Sequence, residues 1–130
     1  MALVVLDASV IIAFVDPGDA HHRGALAAFS THQADDLVLP ASAYAEVLVG
    51  PFRRGKAAVA LLEQFIVAFA IRIEPLSVEI ARQAADLRSQ HLALKLPDAL
   101  VLATGDALNA SVVLTADRAW PKVSSRSRLI

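Results

Sequence analysis

The chain has no cysteine, and that one absence removes disulfides, thiolate metal sites and cysteine nucleophiles together while fitting a reducing compartment. Long apolar runs are missing as well. The longest strongly apolar stretch, Val59 to Ile71, is interrupted by Glu63 and Gln64 and falls short of the roughly 20 residues a spanning helix needs. No segment is therefore assigned to a membrane. The start, Met1 to Val15, is apolar enough to imitate a secretion signal. It has no basic leader, however, and carries Asp7 inside its apolar part, so the cytoplasm is the expected compartment. Repeats, low-complexity tracts and linkers are also absent, which points to one domain over residues 1–130.

What the chain does have is core-forming material. With 130 residues, 56% of them apolar, and a mean hydropathy of +0.54, it can bury a core without covalent staples. Leu3 to Leu6 is a short continuous apolar run ending at Asp7, the pattern of a strand covered on both faces. Helices are expected over Ala8 to Val15, stopped by Asp16-Pro17-Gly18-Asp19, and from Ala20 to about Gln33 with Asp19 as N-cap. A strand over Leu37 to Leu39 leads into a helix from Ala41 to Val49 that Gly50-Pro51 should stop. A further helix spans Lys56 to Phe69, a strand Ile71 to Glu74, and a helix capped by Ser77 runs to about Leu92. Pro97 suits the first turn of a helix reaching about Leu108; Val112 to Thr115 is a strand, and Arg128 to Ile130 a possible fifth. Strands alternating with helices predict an α/β fold, an open parallel sheet flanked by helices on both faces. Ligands of such folds bind beyond the carboxyl ends of the strands.

Two of the acids stand at that end. Asp7 closes the first strand, and Asp117 lies two residues past the fourth. Burying a carboxylate where a strand hands over to a helix is costly unless something compensates. Glu46 is the only charge in the apolar run Ala43 to Val49, and taken alone it could equally face water. Asp98 follows Pro97 at a helix start, where an acid favours the macrodipole whatever its function, and Asp117 alone could be a turn residue. As a set they are more specific. Carboxylates about 5 Å apart repel by roughly 3 kcal/mol at an effective dielectric near 20, and a divalent cation reverses that sign. All-oxygen ligands suit Mg²⁺ or Mn²⁺, whereas zinc normally takes histidine or cysteine.

Charge outside this set is mildly basic. Setting four of the 13 acids aside leaves 12 basic residues against 9 acidic, although the whole chain carries −1. The excess gathers at Arg53, Arg54 and Lys56, read as one loop, and at Arg118, Lys122, Arg126 and Arg128. A basic rim around an acidic hole suits a polyanion that must meet a cation; taken singly, each of these residues also fits a solvated surface.

Val5-Leu6-Asp7-Ala8-Ser9-Val10, the mid-chain Glu46, Pro97-Asp98-Ala99-Leu100-Val101-Leu102-Ala103-Thr104 and Leu114-Thr115-Ala116-Asp117 closely resemble the PIN-domain ribonucleases. In size and motif order the chain is similar to the toxin of a VapBC toxin–antitoxin pair, and the match covers nearly its whole length. The resemblance implies a sheet of strand order 3-2-1-4-5 and an endoribonuclease dependent on Mg²⁺ or Mn²⁺. It further implies inhibition by a VapB-type antitoxin whose tail occupies the catalytic groove; a homodimer is the expected assembly, although the sequence does not itself fix the oligomeric state. Asp7, Glu46, Asp98 and Asp117 would hold the metal and its activated water. Ser9 and Thr115 match positions that support the acids by hydrogen bonding, while chemistry alone makes capping and turn formation equally good roles for them. Arg53, Arg54, Lys56, Arg118 and Lys122 are the candidate RNA-binding residues. Gly105 departs from the pattern, standing where the family more often has alanine, and should weaken its helix by about 1 kcal/mol.

Other residues are assigned ordinary roles. His21, His22, His32 and His91 lack the i, i+4 pairing of a zinc helix and read as surface or helix-end groups. Trp120 and Phe52 flank basic residues and could stack on bases, but an aromatic anchor is the commoner role. Leu61, Leu62, Phe65 and Phe69 form a helix-spaced stripe expected in the core, part of which, with Ile66, could serve a dimer or antitoxin groove. Two other functions compete. A phosphoacceptor receiver domain also gathers acids at strand ends, but expects an adjacent acidic pair where Asp7 is followed by Ala8. A catalytically weak PIN scaffold acting as an RNA- or protein-binding module is the other.

Overall fold

The computed structural model describes all residues, 1–130. In chain order it comprises β1 (Leu3–Leu6), α1 (Ala8–Val15), α2 (His22–Thr31), β2 (Asp36–Pro40), α3 (Ala41–Arg54), α4 (Lys56–Ala68), β3 (Arg72–Glu74), α5 (Val78–Gln90), α6 (Leu96–Ala107), β4 (Val112–Thr115) and β5 (Ser127–Leu129). A single 3₁₀ turn at Trp120–Lys122 precedes β5. The five strands form one sheet in the order β3-β2-β1-β4-β5. Every pairing is parallel, with Val5 opposite Val38 on one side and Val113 on the other. This is the order the resemblance implied. Val4, Val5, Leu6, Val38, Leu39, Val113 and Leu114 are all buried, as the uninterrupted apolar runs require of strands covered by helices on both sides. No helix is long and apolar enough to cross a membrane.

Several element ends differ from the sequence reading, each for a local reason. The first difference is at α2, which begins at His22 and not Ala20: the Asp19 carboxylate accepts the His21 N–H at 2.8 Å, and its carbonyl accepts the His22 N–H at 3.0 Å. Asp19 thus closes a turn ahead of the helix. Gly50-Pro51 does not stop α3, which runs on to Arg54 and buries Pro51. Proline crowds the Cβ of the residue before it when that residue is helical, and Gly50 has none. The helix ends instead at Gly55, whose φ of +120° is glycine territory. Arg53 and Arg54 therefore sit on the last turn of α3, with Lys56 opening α4, in place of a loop. At the end of α4, Ala70 takes φ 52° while the Ile71 N–H bonds the Ile66 carbonyl, a Schellman closure formed without glycine.

Gly105 has a packing explanation. A β-carbon there would lie 2.5 Å from Cγ2 of Val113, so α6 approaches β4 as closely as it does only because position 105 has no side chain. The stripe on α4 divides. Leu62 and Ile66 are core, whereas Leu61 is 67% exposed and Phe69 is 41% exposed. Phe14, Phe29, Phe65 and Phe69 instead form one aromatic cluster, with ring centroids 4.5–5.8 Å apart.

Candidate active site

Asp7 occupies the junction that the sequence marks. It follows β1, is the N-cap residue of α1 with extended φ and ψ, and is only 8% exposed. Its Oδ2 accepts the Ser9 hydroxyl at 2.6 Å and the Thr115 hydroxyl at 3.0 Å. Ser9 Oγ in turn accepts the Ala116 N–H, and Thr115 Oγ1 the Asp117 N–H, each at 3.0 Å. Two hydroxyls thereby tie the carboxylate after β1 to the backbone after β4. Burial raises the Asp7 pKa above its ordinary value, opposed by Ser9, Thr115 and the backbone N–H groups of Ala8 and Ser9.

The other acids gather around it from different elements. Glu46 extends from the second turn of α3 at an exposed position. Partial desolvation raises its pKa, and the charges of Asp7 and Asp98 raise it further. Asp98, in the first turn of α6, is also raised, first by desolvation and then by Asp7 and Asp117, against the opposing influence of Lys95 and the Trp120 indole. Asp117 is exposed, and its Oδ1 accepts the Ala119 N–H at 2.9 Å. Electrostatic coupling thus links Asp7 to Glu46 and Asp98, and Asp98 to Asp117. None of the four forms an ion pair with a base.

That donor set fits a hard divalent cation, because it consists of carboxylates whose mutual repulsion no ion pair relieves, Lys95 only partly offsetting it at Asp98. It is not a closed cage: no three His, Asp or Glu side chains are close enough to hold one ion together. Mg²⁺ commonly keeps several waters and takes one or two carboxylates directly, so an open acidic patch is compatible with it.

The basic residues fare unequally. Arg118 and Lys122 are exposed beyond Asp117, as are Arg53, Arg54 and Lys56 around Gly55. Arg54 shares a trough of about 590 Å³ with Glu46 and Asp16, whereas Arg53 lies in a separate recess with Val49 and Phe52. Arg126 and Arg128 are committed to local structure: Arg126 binds Asp106, Asn109 and the Ala110 carbonyl, and Arg128 the carbonyls of Ser125 and Ser127. Arg126 is thereby neutralised by Asp106, whereas Arg128 stays exposed and without an acidic partner. The trough runs between α1, α3 and α4, lined by Ile11, Ile12, Val15, Leu61, Leu62 and Phe65 among others, and meets the acids only at Glu46. Trp120 is a buried anchor at 1% exposure, so it is not a stacking platform; Phe52 remains 67% exposed. His32 pairs with Asp35 at 2.8 Å and His22 bonds the Ala13 carbonyl at 2.7 Å. Trp120 was not legible as a neighbour of Asp98, because no periodic pattern links a residue after β4 to the start of α6, whereas Lys95 stands three residues before Asp98 at the N-cap of the same helix.

The sequence profile of the PIN domain matches residues 4–125. No curated protein matches the chain. Among solved structures, VapBC2 from Rickettsia felis, bound to a DNA fragment from its promoter, superposes with a TM-score of 0.78 at 12% identity, covering 98% of each chain. FitAcB from Neisseria gonorrhoeae gives 0.77 at 21% identity, over 98% of this chain and 96% of that one. The sarcin-ricin loop cleaving toxin VapC20 of Mycobacterium tuberculosis gives 0.70 at 18% identity, over 85% and 86%. At these identities the likeness is one of fold.

Proposed function

The chain belongs to the PIN-domain family, and from that membership we propose that it is a single-domain endoribonuclease of the VapC toxin type, dependent on Mg²⁺ or Mn²⁺ and acting in the cytoplasm. The observation that carries the reading is the gathering of carboxylates from the end of β1, from α3 and α6 and from the loop after β4, near enough that Asp7 and Asp98 act on Glu46 and that Asp7 and Asp117 act on Asp98, none of them paired with a base. Asp7, Glu46, Asp98 and Asp117 would hold the ion, one or two directly and the others through its waters. Bound there, a divalent ion supplies Lewis-acid polarisation of the phosphodiester and a water of lowered pKa for its hydrolysis.

The chain's own residues do the rest. Ser9 and Thr115 aim Asp7 and favour its charged form, so that its buried carboxylate is available to a cation. Arg118 and Lys122 past Asp117, and Arg53, Arg54 and Lys56 beside Gly55, place positive charge where RNA phosphates approach. Arg54 is the best situated, since it opens onto the same trough as Glu46. That trough is apolar, with Ile12, Val15 and Leu61 exposed along it, and would take the apolar segment of a VapB-type antitoxin. VapBC2 and FitAcB are two-component assemblies by name, which supports such a partner. The expected assembly is a homodimer.

The test is cleavage of cellular RNA by the purified chain. Activity with Mg²⁺ or Mn²⁺, lost in Asp7→Asn and Asp98→Asn, is the expected result; equal activity in EDTA would contradict it. The open arrangement of the acids favours a second reading, a PIN scaffold that binds RNA or protein without cutting. Tight RNA binding with no heat on Mn²⁺ titration would identify that case.

A further inference from the structure

Trp120 and Asp98 are two polar groups that the rest of the fold leaves unpaired. Trp120 is 1% exposed, yet its indole Nε1 has no hydrogen-bond partner, and an unmade bond at a buried donor costs about 1–3 kcal/mol. Native folds rarely leave such a group without purpose. Asp98 is half-buried and enters no ion pair. The one side-chain hydrogen-bond donor near enough to favour its charged form is this same indole, although its Nε1 completes no hydrogen bond.

Resting on the function proposed above, we propose that Trp120 is a positioning residue for Asp98: its indole N–H closes on the carboxylate and fixes which oxygen is presented to the cation. The ring is well held for this task. It packs within the central core, and its backbone is pinned by the Trp120 N–H to the Asp117 carbonyl at 3.3 Å and by the Val123 and Ser124 N–H groups to its own carbonyl at 2.9 Å. One side chain thus joins the loop carrying Asp117 to the helix carrying Asp98. A rigid donor removes rotamer freedom from an acid that no other hydrogen bond orients, which is how outer-shell groups tune metal ligands.

Trp120→Phe keeps an aromatic ring in the core and deletes the N–H. Titration calorimetry should show Mn²⁺ binding about tenfold weaker than wild type, the scale of outer-shell losses. With Asp98→Asn already present the same change should matter less than about twofold, because the effect passes through Asp98. A second arm needs no metal and no change at Trp120. The chain's single tryptophan gives one indole N–H resonance, which should move upfield in Asp98→Ala and stay in place in Glu46→Gln. An unmoved resonance in Asp98→Ala, or wild-type Mn²⁺ affinity in Trp120→Phe, would overturn the assignment. Wild-type protein that takes up no Mn²⁺ would overturn the metal reading with it, the indole shift then marking a purely structural contact.

Discussion

Thr115 shows how much one hydroxyl can carry. Fully buried, it donates to Asp7 and accepts from the Asp117 backbone, so it links two acids that lie 110 residues apart in sequence. Thr115→Val keeps the shape and deletes both bonds. Single-turnover RNA cleavage should fall about 10- to 100-fold, with a smaller loss in Ser9→Ala; unchanged rates in both variants would remove these hydroxyls from the mechanism. Glu46 makes the opposite case, since its charge opposes folding. Its pKa is raised above the ordinary 4.5, so the folded state keeps a proton that the unfolded chain has already released, and stability falls as pH rises through that window. Glu46→Gln should therefore match wild type below the ordinary value and exceed it at neutral pH. The gain should be about 1 kcal/mol or less, the scale of a solvent-screened pair, while cleavage is lost. Urea midpoints at acidic and neutral pH measure it, and a destabilised variant at neutral pH would show that the carboxylate is not under strain. Of these residues, Asp7 was the most legible, because a charge ending a buried strand has few explanations. Glu46 was not, because a lone acid on an apolar helix fits two faces equally well.

Elements were easier to find than to end. Every helix and strand expected from periodicity is present, and Ser77 caps α5 through the Ile80 N–H at 3.1 Å. The errors lie where backbone chemistry is settled by packing: Pro51 is absorbed because α3 buries it after a glycine, and α4 ends on Ala70 without the glycine that usually signals a stop. Gly105 is the clearest instance, for helix propensity alone favours alanine there by about 1 kcal/mol. The 2.5 Å approach of a β-carbon to Val113 reverses that preference. Gly105→Ala should lower stability by about 1 kcal/mol or more, the usual consequence of overpacking, read as a lower denaturation midpoint. A stabilised variant would mean that α6 can shift away from β4 without loss.

Across the whole molecule, the parallel sheet matters because it delivers four acids from distant parts of the chain to one end. Continuous apolar strands announce burial on both faces but say nothing about which strand lies beside which, so the order β3-β2-β1-β4-β5 was available only through the resemblance. The net charge of −1 likewise hid the segregation of acids to this patch and of Arg126 and Arg128 to structural bonds. A cation that binds only the folded chain stabilises it by mass action, about 2.7 kcal/mol at a hundredfold excess over its dissociation constant. The most direct measurement is the thermal midpoint of metal-free protein as Mn²⁺ is added, for wild type and for Asp98→Asn. The account predicts a saturable rise in wild type that is largely lost in the variant; identical midpoints with and without Mn²⁺ in the wild-type protein would contradict it.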